Sequence, residues 1–105
     1  YQRVLQQRGV AFMTPDSEGT QHKVDACIRQ IKQGDVPAGA AALAEAVADC
    51  TAQGVRAIIM GCTEIPIAAS HLGATQLPLI DSTLELARQT VDYAVSRGWN
   101  RANIA

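Results

Sequence analysis

The chain has 105 residues, 48% of them hydrophobic and 4% aromatic, with a formal net charge of −1. That is room for one domain whose core leans on alanine and small aliphatics. Scattered basic residues without an interleaved aromatic platform leave no electrostatic case for nucleic acid or an acidic membrane surface, and no apolar run reaches membrane-spanning length.

Tyr1 opens directly into YQRVLQQRG, a polar helical pattern stopped by Gly9. With no initiator Met and no capping residue, this start predicts a chain that begins inside a longer protein. VAFMTPD follows, a short apolar run ended by Pro15, and predicts a first strand. Asp16 and Ser17 are placed to cap a helix in which Val24, Cys27, Ile28 and Ile31 recur at helical spacing up to Gly34. A second helix carries Leu43, Val47 and Cys50 on one stripe and ends at Gly54. VRAIIMG is apolar and β-branched, the composition of a strand buried on both faces of a parallel sheet. Pro66 marks the first turn of the next helix. LPLID predicts a further strand, and Ser82 is a suitable N-cap for a last helix. That helix would turn Leu84, Ala87, Val91, Ala94 and Val95 inward and stop at Gly98.

Strands alternating with helices imply an α/β fold, a parallel sheet of three to four strands flanked by helices. Ligands of such sheets bind beyond the carboxyl ends of the strands. Thr14 to Asp16, Gly61 to Glu64, and Asp81 to Thr83 are the strand ends that should share one edge.

Three cysteines at wide spacing make neither a disulfide framework nor a CxxC zinc pair, so the reducing cytosol is the expected compartment. Cys27 and Cys50 fall on apolar helical stripes and read as small packed hydrophobes. Cys62 stands apart, between the glycine that ends a strand and the start of a helix. Unsatisfied N–H groups there favour negative charge, the setting that activates a thiol. From spacing alone, packing and chemistry both fit this cysteine. Thr63 and Glu64 add a hydroxyl and a carboxylate, suited to first-turn electrostatics or to a substrate ammonium. The backbone N–H groups of the same turn could take a substrate carboxylate. His22 and His71 have no metal-ligand partners at useful spacing and read as surface residues. Asp81 fits either a site carboxylate or a partner for the turn that follows it.

The wording AII-GCTEIP, followed by PLIDST and a helix, resembles the aspartate/glutamate racemase superfamily across nearly the whole chain. In that family a G-C-T-E turn carries the second of two catalytic cysteines, which is Cys62 here. The resemblance implies a Rossmann-like lobe of a two-lobed fold. It also implies racemisation of a small dicarboxylic amino acid without pyridoxal phosphate or any other cofactor. One thiolate takes the Cα proton and an opposing thiol returns one. Lys32, in IKQGD, is similar to a lysine of some aspartate racemases that binds a substrate carboxylate. A solvated lysine in the last turn of a helix is the alternative.

The family's first cysteine sits in a C-N-T-like turn that does not occur here. Residues 1–105 are therefore expected to be the C-terminal α/β lobe, partnered by a missing N-terminal lobe and forming a homodimer. Hydantoin racemase, maleate isomerase and arylmalonate decarboxylase resemble the same scaffold and stand as alternatives. So does a catalytically incomplete fragment that binds a small acid.

Overall fold

The computed structural model describes residues 1–101. Five helices and two strands follow one another as α1 (Gln2–Gln7), α2 (Thr20–Lys32), α3 (Val36–Ala52), β1 (Ile58–Met60), α4 (Ile65–Ala69), β2 (Leu79–Asp81) and α5 (Ser82–Ser96). The fold class is α/β, with β1 and β2 parallel and paired Ile58 to Leu79, Ile59 to Ile80 and Met60 to Asp81. Joined through α4, they form a parallel crossover unit. Among the described residues no helix is long and apolar enough to cross a membrane.

Local chemistry accounts for most helix boundaries. Asp16 Oδ1 accepts from the N–H groups of Gly19 and Thr20 at 2.8 and 2.9 Å, which starts α2 as the sequence suggests. At its other end Gly34 takes φ 83°, a left-handed value that only glycine adopts without strain. This lets Gly34 N–H donate to Ile31 and Asp35 N–H to Gln30, at 3.0 and 2.9 Å, a Schellman closure just past Lys32. Asp35 then caps α3 by accepting from Ala38 N–H at 3.1 Å. The last helix is capped by Asp81, whose Oδ1 accepts from Thr83 and Leu84 N–H at 3.0 and 3.2 Å. Ser82, expected as the cap, is instead the first helical residue. An aspartate one residue earlier reaches the same orphan donors with a charged acceptor, so it takes the position.

The core lies where α2 and α3 pack against each other and against α4. Cys27, Leu43, Val47 and Ala68 are buried at its centre, and Ile58 of β1 and Leu79 of β2 cover it from the sheet. Cys27 is packed as its stripe predicts, and Cys50 is half-buried. Thr20 and Lys23 of α2 reach across to Asp49 of α3 at 3.2 and 2.6 Å, a polar clasp at the edge of this core.

Two expectations fail. Residues 10–16 form no strand, and the sheet has two strands rather than three or four. An extended apolar segment becomes a strand only where a neighbouring edge takes its backbone hydrogen bonds. Here Val10 N–H donates back to Leu5 of α1 at 2.9 Å, and Pro15 has no N–H to give. Nor is the AIIM strand buried on both faces. The register partners Ile59 and Ile80 are 36% and 38% exposed on the face opposite the core. Along α5 the inward stripe is likewise uncovered, with Leu84, Val91 and Val95 all exposed, because the helix meets the rest of the fold chiefly through β2. The radius of gyration, 16.7 Å, exceeds the ~13 Å of a compact domain of this length.

Truncating the core should be costly. Leu43→Ala is expected to lower stability by about 2–5 kcal/mol, measured as a fall in the urea midpoint. The clasp should make stability pH-dependent. Asp49 is held below the ordinary carboxylate range, first by the hydrogen bond from Lys23 and then by that from Thr20. Its stabilisation is therefore present above the unfolded value of about 3.9 and is lost as pH falls through the lower folded value. The gap in urea midpoint between wild type and Asp49→Asn should close progressively in that acid window.

Candidate functional site

Parallel register brings two of the three expected strand ends together. With Met60 opposite Asp81, the Gly61–Glu64 turn and the Asp81–Thr83 segment emerge at the same end of the sheet. A direct bond ties them, from Ser82 Oγ to the Met60 carbonyl at 2.9 Å. Thr14 to Asp16 does not join them as a strand end, since no strand precedes it.

Cys62 is a free, half-buried thiol in the turn between β1 and α4. Beside it, Thr63 Oγ1 donates to Glu64 Oε2 at 3.1 Å. Glu64 is the N-cap residue of α4 by backbone position. Its carboxyl is held below the ordinary range first by its own backbone N–H and next by the Thr63 hydroxyl, against the opposing cost of desolvation. The Lys32 ammonium and the Cys62 thiol lower it further. Glu64 is thus a carboxylate at neutral pH. Residues from the end of α2 and from the β1–α4 turn meet here, as three predicted site residues and Lys32 require.

The expected dipole is weak, because α4 spans five residues from Ile65 to Ala69. A macrodipole grows from aligned peptides, and one turn contributes little of it. What surrounds Cys62 is instead the Thr63–Glu64 pair and a lysine charge. Lys32 itself is exposed at the last position of α2. It borders a shallow open groove of about 360 Å³, lined also by Asp25, Ile28, Arg29 and Gln33, which contains none of Cys62, Thr63 or Glu64.

Three neighbours of the turn were not foreseen from the sequence. The Tyr1 ring lies over Gly61, where an added Cβ would come within 3.4 Å of it. Ser82 reaches the turn's approach through the bond to Met60. The charge of Cys62 is felt at Cys27, whose thiol is pushed up first by burial and then by Cys62. Of these, Ser82 alone had a legible signal, its place directly after the aspartate that ends a strand. Asp81 proves to be a helix cap, which assigns its carboxylate to the turn that follows it.

A thiol at a strand end, flanked by an ionised carboxylate and a lysine charge, is an acid/base group set among partners for a charged small molecule. The family description Asp/Glu/hydantoin racemase matches residues 1–90, and the chain belongs to that family. Membership makes it a racemase-type protein, an isomerase by class. No curated protein and no solved structure matches it.

The hydrogen bond from Thr63 should be readable in the titration of Glu64. In Thr63→Val the carboxyl value is expected to rise toward the ordinary range without reaching it, since the backbone N–H remains. A carbon-13 titration of the Glu64 carboxyl carbon measures this directly.

Proposed function

We propose that this chain carries one acid/base cysteine, Cys62, of a cofactor-independent racemase for a small dicarboxylic amino acid of the aspartate/glutamate type. The observation that carries the reading is the Cys62–Thr63–Glu64 turn at the carboxyl end of β1, in a chain of the racemase family. Cys62 as thiolate removes the Cα proton from one face of the substrate. The electron pair left on Cα is delocalised into the adjacent carboxylate. A thiol on the opposite face returns a proton, and Cys62 reverses its part for the other enantiomer.

The opposing group is supplied from outside these residues. Supporting this, Cys27 is wholly buried with its thiol pushed up by its surroundings, and Cys50 lies within α3 far from any strand-end turn. On the same reading the two strands belong to a Rossmann-like lobe of three to four strands, within a cytoplasmic homodimer. The exposed Ile59 and Ile80 face supports further covering of the sheet.

Glu64 and Lys32 favour an amino-acid substrate over the sister reactions. A zwitterionic dicarboxylate offers an ammonium to the Glu64 carboxylate and a carboxylate to Lys32. A hydantoin ring offers neither charge.

The test is Cα deuterium uptake from heavy water by L- and D-aspartate, L- and D-glutamate and a 5-substituted hydantoin, using the full-length protein. Exchange of aspartate or glutamate is expected, with Cys62→Ser slower by about 10²–10⁴. A serine variant that exchanges as fast as wild type would remove Cys62 from the mechanism. Lys32→Met should raise KM or abolish turnover, and unchanged kinetics would return Lys32 to the solvent.

A further inference from the structure

The turn that holds Cys62 needs its origin fixed, and β1 is a short strand to fix it. Met60 is the last residue of β1, two positions before Cys62, and its side chain is buried. Its carbonyl accepts a hydrogen bond from Ser82 Oγ at 2.9 Å, partly buried and spanning 22 positions of sequence. Ser82 is free to make this bond because Asp81 already serves the first N–H groups of α5, those of Thr83 and Leu84. Asp81 is also the register partner of Met60, so the serine that follows it stands directly against the end of β1. At the far side of the turn, the Glu64 carbonyl accepts from Ile67 and Ala68 N–H at 3.0 and 3.3 Å.

We infer that Ser82 is a positioning residue for Cys62. Its hydroxyl holds the plane of the Met60 peptide and so the direction in which the chain leaves β1 through Gly61. The α4 end of the turn is held by helix hydrogen bonds, while the strand end is held by this side chain. A peptide plane that rotates at Met60 carries Cys62 Sγ with it, and displacement of an acid/base atom by about 1 Å costs on the order of a hundredfold in rate. Ser82 touches neither substrate nor thiol in this role. It acts through the backbone.

The inference deepens the racemase reading, on which only its kinetic readout rests. In the full-length protein, Ser82→Ala is expected to lower kcat at least about tenfold while KM stays within about twofold. Ser82→Thr, which keeps the hydroxyl, should restore most of kcat. Two readouts need no turnover: amide hydrogen exchange, and the rate of Cys62 alkylation by iodoacetamide resolved by peptide mass spectrometry. In Ser82→Ala, exchange across Gly61–Glu64 should rise and the alkylation rate should change, with exchange in α2 and α3 unaltered. Wild-type exchange and alkylation at the turn would overturn the inference. Faster exchange throughout the protein would also overturn it, by making Ser82 a general stabiliser. A localised change in a protein whose wild type racemises nothing would uphold the positioning role and reject the racemase reading.

Discussion

The parallel pairing of β1 with β2, Met60 opposite Asp81, is the constraint on which the site depends. Each strand has three residues, so the pairing has little ladder to spare. A slip of one residue would turn Ile58 and Leu79 out of the core and bring Ile59 and Ile80 in. It would also part Ser82 from the Met60 carbonyl. Register is held because Ile58 and Leu79 both bury against the Cys27–Leu43–Val47–Ala68 cluster, so side-chain burial specifies what few hydrogen bonds cannot.

That cluster belongs mainly to α2 and α3, and their packing does double service. It backs the sheet, and it sets where α2 ends. The close at Gly34 leaves Lys32 at the tip of the helix, near enough for its charge to act on Glu64. The electrostatics of the Cys62 turn are therefore assembled from two distant stretches of chain. Local hydrogen bonds dominate them: the backbone and Thr63 act on Glu64 more strongly than Lys32 does. A one-turn helix has too few aligned peptides to take that part.

Much of the fold was legible in the residues. Gly34, Gly54 and Gly98 end helices where glycine stop signals place them, and the AIIM and LID runs are the strands. Cys27 is packed and Cys62 stands in a strand-end turn, as stripe and turn wording separate them. What misled was apolar composition read without its partners. Val10, Phe12 and Met13 have the chemistry of a strand, yet remain exposed beside no edge. Leu84, Val91 and Val95 have the spacing of a buried stripe, yet nothing in α5 is buried. Periodicity reports which face of an element is apolar; a second surface must be present for that face to be covered.

The sequence by itself determined the kinds of element, their order, and the G-C-T-E turn with its family. Those follow from local rules: glycine at left-handed positions, aspartate at orphan N–H groups, and β-branched residues in short extended runs. Tertiary structure alone decided which strand ends meet, that Asp81 caps while Ser82 crosses to Met60, and that Cys27 lies behind Cys62. Those outcomes rest on contacts between residues 20 or more apart in the chain, such as the 22-position span from Met60 to Ser82. No local propensity encodes them, because they exist only once the core has brought the elements together.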